Sequence, residues 1–143
     1  MRSPNRPGWL VAIAAVTLGA SIGARPPATT AVHIGDLDGN EFPTSSGGAM
    51  SASVLVMVHD AEHRPVTRAR VRGSWSDGVS GSSQCETGTD GTCPLASRRF
   101  VDQQGLQLIL AIRGIEGSEL SYDKAANHDV DGETNGTTIR MFR

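Results

Sequence analysis

Residues 54–93 read VLVMVHDAEHRPVTRARVRGSWSDGVSGSSQCETGTDGTC, and the order of signals in that run decides the fold. Residues 52–58 are dense in β-branched and aliphatic side chains without helical spacing, the mark of a strand apolar on both faces and central in its sheet. Residues 59–65 end in proline and turn the chain. Ala69, Val71, Gly73 and Trp75 then alternate with Arg68, Arg70, Arg72 and Ser74, the period-two pattern of a half-buried strand. Asp77-Gly78 reverses the direction. Residues 79–84 and 92–96 flank ETGTDGT, turn-forming material bracketed by Cys85 and Cys93.

The same pattern extends outward. Residues 31–34 begin a strand that stops at GDLDG (35–39), and PTSSGGA (43–49) reads as a flexible loop. Leu106, Leu108, Leu110 and Ile112 line one face of a later strand. A short strand follows at 119–122, then a polar loop to Gly136 and a closing strand at 137–142. Seven or eight short strands with frequent turn signals predict an all-β protein, an immunoglobulin-like antiparallel β-sandwich. No helical periodicity and no internal repeat interrupts that reading.

The N-terminus places the chain outside the cell. Arg2 and Arg6 precede a largely apolar run from Trp9 to Ile22, closed by Gly23 and Ala24. A basic region, a short apolar region and a small-residue exit describe a signal peptide over residues 1–24. That run is shorter than the roughly 20 residues a membrane span requires, so no anchor is expected after cleavage. Residues 25–30 then form a loose lead, and 31–143 a single domain. The formal charge of the whole chain is −2. Removing residues 1–24 takes away two arginines and no acid, which makes it −4. A mildly acidic domain lacks the clustered basic footprint of a nucleic-acid binder.

Two cysteines in a short exported chain read as a disulfide, Cys85–Cys93, stapling a hairpin. Zinc-type and redox cysteine pairs have closer spacing, and zinc requires further ligands.

Val56, Val58 and Asp60, then Pro65-Val66, then Ala69, Val71 and Gly73 together resemble bacterial immunoglobulin-like repeats of the Big-1 and carboxypeptidase-regulatory type. The resemblance continues through Gly73-Ser74-Trp75-Ser76, Gly78, Cys85, Thr87, Asp90-Gly91 and Cys93. It ends in Tyr122-Asp123, Asn127-His128-Asp129 and Asp131-Gly132. Such modules accompany exported proteases and other extracellular enzymes as spacers, stabilisers or adhesive domains. The resemblance therefore implies a secreted, non-catalytic binding or structural module at the cell exterior, extracellular or periplasmic, with a protein or glycan partner. Fold-level likeness carries no more than that.

Four constellations bear on chemistry. His59-Asp60-Ala61-Glu62-His63 matches H-x-x-E-H, the inverted zinc-protease motif. That chemistry needs both histidines on one helical face, whereas this segment leaves a strand and meets Pro65. A solvated turn is the expectation, and a metal-dependent hydrolase using His59 and His63 the remote alternative. Asn127, Asp129, Asp131 and Glu133 place oxygen ligands at alternate positions around Gly132, like the first half of a calcium loop. Against calcium stand the missing first acid and the absence of Glu at the twelfth position. A solvated Asx-rich turn is the plainer reading, and no cofactor other than calcium is implied. Asp36 and Asp38 form a second acidic turn that would add ligands only if the fold joined both loops.

Arg68, Arg70 and Arg72 project from one sheet face, suited to a polyanion or to preventing edge-to-edge aggregation. Trp75 shares the parity of Ala69 and Val71, which favours core packing over a carbohydrate platform. A carbohydrate-binding module is the other alternative.

Overall fold

The computed structural model describes residues 28–40, 49–101 and 103–142. The expected signal peptide (1–24), the first half of the lead (25–27) and all but the last residue of the 43–49 loop lie outside the described residues. The strands are β1 (Thr30–Asn40), β2 (Ala49–Met50), β3 (Ser53–Asp60), β4 (Arg70–Asp77) and β5 (Gly81–Glu86). They continue with β6 (Thr92–Ala96), β7 (Phe100–Val101), β8 (Gln107–Glu116), β9 (Leu120–Tyr122) and β10 (Thr138–Phe142). One sheet has the order β6-β3-β1-β9, the second β10-β8-β4-β5, and β2 pairs with β7 alone. This is the all-β sandwich expected, with two very short strands added. One pairing departs from an antiparallel scheme, because β9 runs parallel to β1.

The core lies between the sheets. Val32, Ile34, Leu37, Val54, Val56 and Val58 face inward from the first; Val71, Trp75, Leu108, Leu110, Ile112 and Ile139 face inward from the second. Each fully buried side chain of this size stabilises by about 1.5–3 kcal/mol. Trp75 is a core residue, its indole Nε1 donating to Ser83 Oγ at 2.9 Å. β3 is central, yet its burial alternates: Val54, Val56 and Val58 are fully buried, while Leu55, Met57 and His59 on the opposite face are only partly covered.

Two expectations need correction. GDLDG is strand. β1 continues to Asn40, with a bulge between Ile34 and Asp36 that shifts the register by one residue. Beyond it Leu37 pairs with Val56 on the inner side, and Asp36 and Asp38 lie opposite Met57 and Leu55 on the outer side. Pairing with a central strand overrides the turn preference of Gly and Asp, because strand propensity depends on context. The Cys85–Cys93 bond is formed, but it does not staple a paired hairpin. Cys85 sits on β5 at the edge of one sheet and Cys93 on β6 at the edge of the other. The bond therefore ties the two sheets together along one side of the sandwich.

On the opposite side, β9 leads into a 3-10 turn at Lys124–Ala126. The chain then stays beside β1, with Asp123 N–H donating to Val32 O and His128 N–H to Ile34 O. That return path lays residues 123–128 along β1.

Candidate metal centre

The chain has four histidines, and all of them meet. His33 and His59 are cross-strand partners on β1 and β3. Both lie on the outer face, since the positions beside them, Val32, Ile34 and Val58, belong to the core. His63 comes from the turn after β3, and His128 from the segment that returns beside β1. One ligand nitrogen from each of the four falls within 4.8 Å of all the others. His33 is 4% exposed beneath the other rings.

Local structure sets each ring. The bulge puts Gly35 against His59, where a Cβ would overlap the imidazole. Glycine is thus required by the close approach of a side chain. The His63 turn is organised by Asp60, whose Oδ1 accepts the N–H groups of Glu62 (3.0 Å) and Arg64 (2.9 Å). Asp60 Oδ2 accepts from Arg64 Nε at 2.8 Å, and Pro65 bridges back to His59. The turn holds His63 at φ 59°, a left-handed conformation uncommon for a residue with a side chain. Strain of this kind collects at functional sites.

His128 is fixed by its neighbours. Asn127 Oδ1 accepts from Ile34 N–H at 2.9 Å. Asn127 Nδ2 donates to Tyr122 Oη (2.7 Å), Thr137 Oγ1 (3.0 Å) and Gly136 O (3.1 Å). Gly136, at φ +66°, packs on the His128 backbone so closely that no Cβ fits. His128 Nδ1 contacts Ala126 O at 3.2 Å; donation to that carbonyl leaves Nε2 unprotonated, the usual arrangement behind a metal-bound imidazole.

Electrostatics keep the inner rings neutral. Burial, then the other histidines, lowers the pKa of His33; burial, His128 and His63 lower that of His59. Two nitrogens, His33 Nε2 and His59 Nδ1, are buried with no hydrogen-bond partner. An orphaned buried polar atom costs about 1–3 kcal/mol. Four imidazoles gathered this closely, two of them with a buried unpartnered nitrogen, suit a transition-metal ion.

The H-x-x-E-H segment thus behaves differently from expectation. It does turn at Pro65, but the turn brings the His59 and His63 rings to 5.9 Å. Glu62 is not beside them; its carboxylate meets the Arg64 guanidinium at 3.1 Å and is largely exposed. His33 and His128 were not singled out as ligands from sequence. The signal available was that the chain's few histidines include one early and one late, flanking the H-x-x-E-H pair.

The expected acidic loops also come together, next to the histidines. Asp36, Asp38 and Asp131 converge within 4.8 Å, and Asp129 hydrogen bonds to Asp36. Burial, then the hydrogen bond to Asp129 and the surrounding carboxylates, pushes Asp36 up to about 6. Burial opposes ionisation of Asp129, but hydrogen bonds from Thr134, Asp131 and Asp36 outweigh it and hold the group below its usual range. Asn127, expected as a calcium ligand, has its side chain committed to Ile34, Tyr122, Gly136 and Thr137. Glu133 is not among the converging carboxylates.

The arginine row is shorter than expected. Arg68 lies in the turn before β4, at φ 58°. Arg70 faces Glu86 at 3.9 Å and Arg72 meets Glu116 at 2.6 Å, so acids from both flanking strands offset the row. Arg72, Gly73, Ser82, Ser83, Gln84 and Arg113 line a shallow cavity of about 600 Å³ on that sheet, with no histidine in its lining. No family model matches the chain, and neither does any curated protein or solved structure.

Proposed function

We propose that this is an exported, non-catalytic, immunoglobulin-like module that binds a transition-metal ion through His33, His59, His63 and His128. The observation that carries the reading is the gathering of all four imidazoles, one ligand nitrogen of each within 4.8 Å of the others, in a group that also holds two buried, unpartnered nitrogens. Nitrogen donors of this kind suit zinc, copper, nickel and iron. The Cys85–Cys93 bond supports an oxidising compartment, in keeping with the basic and apolar leader. Among the described residues no helix is long and apolar enough to cross a membrane.

The non-catalytic reading rests on ligand count. Catalytic zinc sites use three protein ligands and keep a position for water, whereas four protein ligands belong to structural sites. Glu62, the base a hydrolase of the H-x-x-E-H type would use, is turned to Arg64. Carbohydrate binding through Trp75 is disfavoured by its place in the core.

The test is retention of metal. Purified apo protein is mixed with one equivalent of zinc, desalted and analysed for bound ion. One ion per chain is expected, with retention weakened in His63→Ala, whose exposed turn position makes unfolding a poor explanation, and lost in the His33→Gln, His63→Ala double variant. A wild-type protein that retains no zinc, copper, nickel or cobalt overturns the proposal.

A further inference from the structure

The separations of the four rings carry the argument from a metal site to a kind of metal. Four imidazoles bound tetrahedrally at about 2.1 Å place their ring centres roughly 5.2 Å apart, all six separations being equal. A square-planar set gives about 4.5 Å for four neighbouring pairs and about 6.4 Å for two diagonals that share no ring. The observed separations among His33, His63 and His128 are 5.5, 5.0 and 5.1 Å. Those from His59 to His33, His63 and His128 are 6.1, 5.9 and 6.2 Å. Every long separation shares His59, so the long pairs cannot be diagonals of a square. The arrangement is a triangular base of three rings with His59 as the apex, a slightly elongated tetrahedron.

The backbone explains why it stays that way. His33 and His59 are fixed side by side on paired strands, and the Gly35 bulge sets the depth of His59. His63 and His128 approach from two separate segments, the clamped turn at Asp60 and the return path held by Asn127. Two paired strand positions capped by two loops do not flatten into one plane without breaking the β1–β3 pairing or the Asn127 contacts.

We infer that these histidines form a closed tetrahedral nitrogen shell that selects zinc(II) over nickel(II), an ion that prefers tetragonal coordination. The inference rests on the metal-binding reading above and names its ligand. Zinc has no geometric preference of its own and accepts the tetrahedron; nickel(II) loses ligand-field stabilisation there. A closed shell also means that no exogenous ligand reaches the ion unless a histidine is removed.

Cobalt(II) substitution and zinc–nickel competition test this on the full mature chain. The cobalt form is expected to show the intense visible absorption of four-coordinate cobalt, unchanged by added azide. In His63→Ala the spectrum should shift with azide and return towards wild type with added imidazole. At equal zinc and nickel, zinc should occupy at least tenfold more sites. A weak octahedral cobalt spectrum, an azide-sensitive wild type, or nickel retained in preference to zinc overturns the tetrahedral inference while leaving the metal site standing. Failure to retain any of these ions overturns both.

Discussion

Gly35 stands directly against the imidazole of His59, in space that a single methyl group would fill. The two residues meet at the β1 bulge, which displaces the strand by one position between Ile34 and Asp36. A ligand and the backbone that admits it are therefore specified together.

Gly35→Ala is expected to cost about 1–3 kcal/mol through overpacking and to weaken zinc binding more severely, because His59 must move. Urea unfolding of the apo protein measures the first and zinc titration the second. Unchanged zinc affinity would show that His59 is not held by this contact.

Zinc itself should raise the melting temperature. At free zinc a hundredfold above Kd the linkage contribution is about 2.7 kcal/mol, roughly 10 °C for a domain of this size. Scanning with zinc and with a chelator measures the shift. The His33→Gln, His63→Ala double variant should show none.

Asn127 joins β1, Tyr122 and the segment before β10. Asn127→Ala leaves the Ile34 N–H without its acceptor and should cost about 1–3 kcal/mol. Loss of a residue that orients a ligand typically lowers metal affinity 10–100-fold, and that range is expected here. Asn127→Asp keeps the acceptor but not the donors, so an intermediate affinity is the expected result; titration with a chromophoric competitor distinguishes the three proteins.

Asp36 gives a pH signature. Its carboxyl titrates at about 6 in the folded protein against an ordinary 3.8. A raised folded value means the proton is held more tightly in the folded state. The resulting stability is fully present below about pH 4 and lost as pH rises through 6. The stability difference between wild type and Asp36→Asn should therefore change across that window and be flat above it. Carboxyl carbon NMR of the wild type checks the midpoint directly, and a value near 4 would remove the account.

Reduction of Cys85–Cys93, or its replacement by serines, should lower stability by roughly 2–3 kcal/mol on the chain-entropy model. The bond spans two sheets, so its loss should increase amide exchange in β5 and β6, the two edge strands it joins, before β3. Uniform loss of protection would contradict a local role.

Much of this fold was legible in the sequence. Alternation in residues 69–75 and 106–112 follows from one face meeting a core, and Trp75 sorted inward by parity alone. Gly35–Asn40 was illegible because its residues prefer turns; only pairing with β3 makes them strand. The candidate site was less visible still. His59 and His63 were evident as a pair, but a helix was the sole known way to join them at that spacing. A turn clamped by Asp60 achieves the same convergence. His33 and His128 are distant in sequence, and nothing local in either predicts that β1 and the segment after β9 lie side by side.

The parallel β9 and the return path beside β1 have a consequence for timing. His33 belongs to the first strand and His128 to the last loop, so the four rings share no neighbourhood until the sandwich has closed. The unfolded chain carries the histidines but no four-ring cage. On the metal-binding reading, an ion held by all four rings is held only by the folded domain, so its occupancy and the folded population rise and fall together.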